Sequence, residues 1–387
     1  MKRGVKLNAE RLFGAMEQSK LDYILVCGSE NVGYLSKVDF PMPLGATFEF
    51  GGGFPLAYVL VSREERKINL IVSNFYEELA GKNFTGDSVF VFQHYDHFKA
   101  INGSEELTRL LRSVLPHDGH NKTIGIEYRV LPALIHRMLI EDGFEMEDCI
   151  PVMSFARRIK TADEIERMKR SAFIEDCGQN RLMEYARNFS DETAFEVWAG
   201  VTAAMNKVAG ERLEVSGELA TGSDAQKPNY PGGPKDKPIF PGELGRMDIS
   251  IRQNCYWSDC CNTVVFGKEP TVYQRDCFQI VLEAYEAAKE KLKPGHRLSD
   301  VNEAACQVYK KYSRTPVVYT GHQIGCAVNE FPRITCYEHD LLEPGMVVCI
   351  EPQQYGKEGS GIGVRLEKII WISETGTQEL NHFMWGM

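Results

Sequence analysis

Arg246-Met247-Asp248-Ile249-Ser250-Ile251-Arg252-Gln253-Asn254-Cys255-Tyr256-Trp257-Ser258-Asp259 is the stretch from which the rest of the chain can be read. Apolar and β-forming residues flank the polar pair Gln253-Asn254, the pattern of a β-hairpin with a two-residue turn. With the turn there, position 252 faces 255, 251 faces 256, and Asp248 faces Asp259. Directly opposed residues share one face of a sheet, with side chains about 5 Å apart. Two carboxylates that close repel each other unless a positive charge sits between them. Either these are two unrelated surface aspartates, or they are half of a metal site.

A second stretch repeats the arrangement. Met346-Val347-Val348-Cys349-Ile350-Glu351 and the run from Ile362 to Trp371 read as another hairpin, its loop marked by Gly356, Gly359, Gly361 and Gly363. Glu351 and Glu367 are symmetric about position 359, so they too can face each other across strands. The elements ahead of each hairpin also recur. Thr161-Ala162-Asp163-Glu164 is a capping box that opens a long helix, with apolar positions at Ile165, Met168 and Ala172. A helix over roughly 192–208 and a Gly- and Pro-rich loop from Thr221 to Gly242 follow. In the second half a helix runs from about Thr271 to Leu292 and stops at Pro294-Gly295. Ser299 can cap the next, which reaches about Tyr312, and a loop then carries Gly321-His322. Corresponding points in the two halves lie 103 to 108 residues apart. Two helix–helix–hairpin halves, each presenting paired carboxylates, fit a pseudo-twofold domain with the acids at its centre.

Four carboxylates buried together are strongly destabilised by desolvation. Two divalent cations neutralise their formal charge of about −4. With His322 as fifth ligand the set is oxygen-rich with one imidazole, which suits Mn²⁺, Fe²⁺ or Co²⁺ better than a closed thiolate zinc site; Zn²⁺ is also accommodated. Two such ions polarise a carbonyl and lower the pKa of a bridging water. Glu351 is the natural general base.

Ahead of this domain, residues 1 to about 155 alternate apolar runs with amphipathic ones. Strands are expected at Tyr23–Val26, Ala57–Val61, Ile68–Val72, Val89–Phe92 and Thr123–Ile126, and helices around 9–20, 104–115 and 131–142. That order predicts an α/β domain, joined through an Arg157-Arg158-Ile159-Lys160 linker to a second domain over 156–387. The Gly- and Phe-rich loop Gly45–Phe54 follows no strand-to-helix pattern, so it is read as an aromatic flap rather than a phosphate loop. His94 and His97 read as surface residues.

The bulk numbers agree. At 387 residues two domains are the natural prior, and 43% hydrophobic with 25% charged residues is a globular composition. A net charge of −10 argues against nucleic acid or anionic membrane as partner. No apolar run has the length of a spanning helix, and Met1-Lys2-Arg3-Gly4-Val5-Lys6 has no apolar core behind it, so neither membrane span nor signal peptide is expected. Eleven cysteines contain no Cys-x-x-Cys pair. Reduced, buried thiols in a cytoplasmic protein are the expectation, with at most one of Cys260 and Cys261 facing the site.

Asp248, Asp259 eleven residues on, His322 in Gly-His-Gln-Ile-Gly, Glu351 in Leu-Glu-Pro-Gly-Met-Val-Val-Cys-Ile-Glu-Pro, and Glu367 in Gly-Val-Arg-Leu-Glu resemble the five ligands of the pita-bread metallopeptidases. That group holds methionine aminopeptidase, aminopeptidase P and prolidase, with creatinase as a metal-free relative. The resemblance spans almost the whole chain, because Arg11-Leu12 through Glu30-Asn31-Val32-Gly33-Tyr34-Leu35 is similar to the opening of the creatinase/prolidase N-terminal domain. It implies an α+β chain whose α/β creatinase-type N-terminal domain precedes a pita-bread domain of αα-hairpin repeats. It further implies a dinuclear site, a homodimer, a small-molecule or short-peptide substrate, Glu351 beside the catalytic water, and Arg365 paired with Asp248.

The departures concern proton transfer. Prolidase-like members carry a histidine seven residues after the histidine ligand, where this chain has Asn329. They carry another in the loop before the first aspartate, where Asn229 stands, and one four residues before the ligand, where Val318 stands. No histidine occurs between His136 and His296. Asn can donate to an oxyanion or a carboxylate but cannot exchange a proton near neutral pH. Three readings follow. The first is a hydrolase of a small C–N bond, in an Xaa-Pro dipeptide or another amide, with Glu351, Asn329, Asn229 and Arg365 as catalytic residues. The second is a lyase or hydrolase of a small betaine, sulfonium or amidine-type substrate. Dimethylsulfoniopropionate lyase of the same fold is a precedent, although Ser250 stands where that lyase has an extra acid. The third is a non-catalytic binding homologue. The N-terminal flap over Phe48–Phe54, or His94 and His97, is a candidate to complete a neighbour's site.

Overall fold

The computed structural model describes residues 8–40, 55–227, 233–356 and 360–387. The flap at Phe48–Phe54, Asn229 and the loop position Gly359 lie outside them. Two compact units divide at Arg157/Arg158.

The first unit carries a six-stranded sheet ordered β4-β3-β2-β1-β5-β6. Its strands are β1 (Tyr23–Val26), β2 (Ala57–Ser62), β3 (Lys67–Ser73), β4 (Ser88–Phe92), β5 (Thr123–Ile126) and β6 (Glu145–Asp148). β1–β2 and β2–β3 are antiparallel, while β3–β4, β1–β5 and β5–β6 are parallel. Runs such as Val59, Leu60, Val61 and Leu70, Ile71, Val72 are buried whichever way they point, as expected of strands covered on both faces. The covering helices are α1 (Ala9–Gln18), α2 (Ser29–Ser36), α3 (Glu77–Asn83), α4 (Gly103–Val114), α5 (Ala133–Glu141) and α6 (Ile150–Arg158). β6, α2 and α3 are absent from the sequence reading. β6 is Glu-Met-Glu-Asp, an edge strand with no apolar alternation to find. α2 is held from a distance: buried Glu127 accepts the Cys27 and Gly28 N–H groups at its start. The expected linker is corrected as well, since Arg157-Arg158 close α6. His94 packs against Phe75 and Phe92, and His97 against Tyr95.

The second unit is built from two similar halves. In the first, α7 (Ala162–Arg187) and α8 (Ala194–Ala209) each open on a capping box, Thr161 with Glu164 and Thr193 with Glu196. They cover a sheet of β7 (Glu214–Thr221), β8 (Leu244–Gln253) and β9 (Tyr256–Val265). Ile174, Leu182, Val197 and Val201 pack on Met247, Ile249, Ile251, Cys260 and Val264. Alternation along a strand therefore turns Asp248, Ser250, Asp259 and Cys261 to the opposite face. In the second half, α9 (Val272–Glu290) and α10 (Leu298–Lys311) cover a sheet ordered β11-β10-β12-β15-β16. Those strands are β10 (Tyr319–Gln323), β11 (Glu330–Thr335), β12 (Val347–Ile350), β15 (Lys368–Ser373) and β16 (Gly376–Glu379), with a separate β13 (Gln353–Tyr355) and β14 (Gly363–Arg365) pair. α10 starts at Leu298, one residue ahead of the expected Ser299 cap, because the Asp300 carboxylate takes the Arg297 N–H at 3.0 Å. No helix among the described residues is long and apolar enough to cross a membrane.

The register of the first hairpin differs from the expectation. The turn of the first hairpin falls on Asn254-Cys255, with φ of 50° and 72°, as a type I′ turn requires. Asp259 therefore faces Ser250, and Asp248 faces Cys261. Moving the turn by one residue shifts the partner by two, so both aspartates keep their common face but lie diagonally, about 7–8 Å apart. In the second hairpin Ile350 faces Lys368 and Gln353 faces Arg365, the symmetry about 359 that sets Glu351 against Glu367. Pro352 has no N–H and breaks that ladder into two. Glu367 spends its own backbone groups on Cys261, at 2.9 and 3.3 Å, which stitches the two halves together at their centre.

The loop between β10 and β11 is pinned by an ion pair, Lys160 Nζ to Glu330 Oε2 at 3.3 Å, both side chains almost wholly buried. Glu330 Oε1 also accepts the Cys326 and Ala327 N–H groups. Removing one partner leaves a buried charge uncompensated, so Glu330→Ala is expected to cost about 3 kcal/mol. Urea denaturation reads this directly; a loss below about 1 kcal/mol would show that the pair is not buried in solution.

Candidate metal centre

Asp259, His322, Glu351 and Glu367 converge at the join of the two halves, and all four are at least nine-tenths buried. His322 Nε2 lies 3.4 Å from Glu351 Oε1, 3.6 Å from Asp259 Oδ2 and 3.8 Å from Glu367 Oε1. The ring is held from its other side, where Nδ1 lies 2.9 Å from the Gln323 carbonyl. A carbonyl only accepts, so Nδ1 carries the hydrogen and Nε2 presents a lone pair to the carboxylates. Gly321 allows this placement: a Cβ there would lie 2.0 Å from the Cys349 carbonyl of β12.

Asp248 completes the set from β8, bound to Arg365 through Nη1 and Oδ2. Arg365 Nε lies 3.9 Å from Glu351 Oε2, and Gln353 Oε1 holds the guanidinium at 2.9 and 3.1 Å. Its backbone is clamped by Thr263, whose hydroxyl accepts from the Arg365 N–H and donates to its carbonyl. Ser250 Oγ donates to Asp259 Oδ1 at 2.9 Å, so the residue across from Asp259 fixes its carboxylate.

The electrostatics are those of a site short of positive charge. Burial, opposed by His322 and reinforced by Asp248, pushes Asp259 up to about 6. Burial and the charges of Asp259, Glu351 and Asp248 push Glu367 well above the usual carboxylate range. Burial lowers His322, but Asp259 and Glu351 outweigh it and the net shift is upward. Glu367 Oε1 is buried without a hydrogen-bond partner. An orphaned carboxylate oxygen among other carboxylates is the condition a divalent cation relieves, so these residues fit the metal the sequence reading expects.

Of the sequence-predicted residues, the structure brings together Asp248, Asp259, His322, Glu351, Glu367 and Arg365. Asn329 sits on the adjoining loop, where its Nδ2 donates to Tyr319 Oη at 3.1 Å. Val318 is exposed. Among the described residues of the second unit, His322 alone of the histidines joins the cluster; His339 lies by Ser299 and His382 follows Asn381 against Asp176. Sequence reasoning missed Ser250, Tyr319 and Cys349. Cys349 Sγ falls within 4.8 Å of ligand atoms of Asp259, His322 and Glu367. Burial and the charge of Glu367 keep that thiol protonated, so it is a poor competitor for a hard cation. Ser250 stands two residues from Asp248 on β8, and Cys349 two residues from Glu351, which directly follows β12, a same-face signal legible in advance.

Residues 166–374, more than half of the chain, match metallopeptidase family M24. The chain belongs to that family. It is a metallohydrolase by family, and residues 9–159 match the creatinase/prolidase N-terminal domain, the architecture of this M24 branch. Over its whole length the M24 chain resembles the Xaa-Pro dipeptidase of Pyrococcus furiosus, 28% identical across 97% of this chain and 98% of that one. The prolidase structure from the same organism superposes with a TM-score of 0.76 at 27% identity, covering 96% of this chain and 99% of that chain. The Pyrococcus horikoshii prolidase superposes at 0.79 and 24% identity, covering 98% and 99%, a likeness of fold.

Proposed function

We propose that this protein is a metal-dependent dipeptidase that hydrolyses the Xaa-Pro bond. The observation that carries the reading is the convergence of three buried carboxylates on Nε2 of His322, with an orphaned oxygen on Glu367. Full-length similarity to an Xaa-Pro dipeptidase supports the substrate class. Asp248, Asp259, His322, Glu351 and Glu367 would hold two divalent ions, Mn²⁺ first, with Fe²⁺, Co²⁺ or Zn²⁺ as alternatives. When bound, the ions supply Lewis acidity toward the substrate carbonyl and acidify a water.

The chain's own residues do the rest. Glu351 takes the proton of the attacking water on a carboxylate oxygen and returns it to the amine nitrogen as the C–N bond breaks. Arg365 holds Asp248 and lies beside Glu351, which fixes both carboxylates against mutual repulsion. Asn329 and Asn229 occupy positions where relatives of this type use histidine. Neither can move a proton, so Glu351 carries the transfer unaided. We further assign the enzyme to the cytoplasm as a homodimer acting on short peptides.

The same asparagines favour a second reading, an enzyme of another small substrate on the same site. One assay separates the two: the Mn²⁺-loaded protein on Ala-Pro and Met-Pro beside small betaines, sulfonium compounds and amidines. Xaa-Pro turnover at or above about 1 s⁻¹, within the ordinary enzyme range, is expected. Turnover of only the non-peptide set would replace the dipeptidase reading with the second.

A further inference from the structure

Glu218 of β7 lies directly across from Asp248 of β8. Directly opposed residues share a face, so Glu218 is a further carboxylate on the face of the candidate metal ligands, about 5 Å from Asp248. Arg246 stands two residues before Asp248 and is on that face as well. Among the described residues it is the largest side chain wholly shielded from solvent, and its Nη2 meets Glu218 Oε1 at 2.6 Å. The face therefore carries two carboxylates and two guanidiniums, paired Glu218 with Arg246 and Asp248 with Arg365.

The Arg246 guanidinium is fixed from further sides. Nη1 donates to the Ala225 carbonyl at 2.8 Å, and Nη2 donates to the Lys227 carbonyl at 3.0 Å. Gln226, between those two carbonyls, is held from the second half of the unit. Its Nε2 donates to the Gly356 carbonyl and its Oε1 accepts the Gly361 N–H, both at 3.2 Å. Tyr355 lies against both arginines, its ring centre 5.5 Å from the Arg246 guanidinium and its hydroxyl 3.4 Å from Arg365 Nη2. Each acid thus has a guanidinium of its own. Without Arg246, Glu218 would be a buried charge lacking its partner, within reach of Arg365 and of any ion that Asp248 holds.

We propose that Arg246 is a positioning residue of the metal centre: by binding Glu218 it keeps a sixth carboxylate off the metals and leaves Arg365 to Asp248. This role rests on the assignment of Asp248 to the metal set. Glu218 does harm only when unpaired, so removing both partners should do less damage than removing Arg246 alone. A purely structural role for Arg246, through the Ala225 and Lys227 carbonyls, gives no such recovery, because those bonds are lost in either case.

The test compares Arg246→Met with Arg246→Met/Glu218→Leu by two readouts. One is the d–d absorption of the Co²⁺-loaded protein, which needs no substrate, and the other is kcat in the dipeptidase assay. Arg246→Met is expected to shift the spectrum and to lose about 10- to 100-fold in kcat. The double variant should return the spectrum to that of wild type and regain at least about 5-fold in kcat, because an ion pair replaced whole by apolar groups costs little. Arg246→Lys keeps a positive charge on Glu218 but gives up the fork that reaches both carbonyls, and should keep the wild-type spectrum. It decides the matter where Arg246→Met does not fold. An unshifted Arg246→Met spectrum, a double variant as displaced as Arg246→Met, or a shifted Arg246→Lys spectrum would overturn the proposal. If the wild type cleaves no dipeptide but the spectra recover as described, the role of Arg246 stands and the dipeptidase reading falls. Dipeptide cleavage without spectral recovery removes the role of Arg246 alone.

Discussion

Glu351→Gln is expected to lower kcat on an Xaa-Pro dipeptide by about 10³- to 10⁴-fold, while KM moves by less than a factor of about 5. The substitution keeps the size of the side chain and removes its basicity. Glu351 lies 3.4 Å from His322 Nε2 and 3.9 Å from Arg365 Nε, so its carboxylate sits where the set of acids meets the Arg365 guanidinium. An amide there still accepts hydrogen bonds but cannot hold the proton that leaves water and reaches the amine. The loss therefore falls on the chemical step. Steady-state kinetics at saturating Mn²⁺, with metal content measured on the same sample, gives the answer. A variant that binds its full metal complement and keeps more than a tenth of wild-type kcat removes Glu351 from the role of base.

Removing the metal should destabilise the protein far more at pH 8 than at pH 5. The sign follows from the carboxylates. Asp259 has an ordinary value of 3.8 and is pushed up to about 6 in the metal-free fold. A group whose folded value is raised binds more protons folded than unfolded, so stability falls as pH rises from 3.8 through about 6. The gap is worth about 3 kcal/mol for Asp259 alone. Glu367, raised for the same reason, adds in the same direction. His322 also has a raised value, so what it contributes is present below its ordinary 6.5 and lost above its folded value, again the same sign. Two divalent ions offset these losses where the ligands are ionised, and each adds about 3–4 kcal/mol at 100- to 1,000-fold its Kd. Melting scans with and without EDTA should converge near pH 5 and separate widely at pH 8. A metal-free protein as stable at pH 8 as at pH 5 would mean that Asp259 and Glu367 are not buried together.

Much of the site was legible because strand periodicity is a local property. Asp248 and Asp259 share a face with the turn at Gln253-Asn254 or at Asn254-Cys255, since a one-residue move of the turn changes the partner by two. The inference of a common face thus survived an error in register. Glu351 and Glu367 were legible by the same rule, even though Pro352 splits their strands. Helix starts were legible at Thr161, where a capping box stands, and at Thr271, whose side chain accepts from the Gln274 N–H. Ser299 misled because the acceptor that fixes the start of α10 is the carboxylate of Asp300, and a serine at the right spacing looks the same in sequence. Edge strand β6 and helix α2 carry no local pattern at all. One has a single apolar residue, Met146, and the other is held by Glu127, about a hundred residues away.

The residues by themselves determined that two hairpins present paired acids, that a histidine follows in a glycine-rich turn, and that these five belong to one kind of metal centre. Tertiary structure alone decided how they meet. The backbone bridge from Cys261 to Glu367, the face that Arg365 turns to Asp248, and the bulge that swings Tyr319 onto His322 depend on contacts between residues up to 117 positions apart. Periodicity says which side of a strand a residue occupies. It carries no information on which strand of the other half comes to lie against it, because that is set by the packing of whole sheets under their helices.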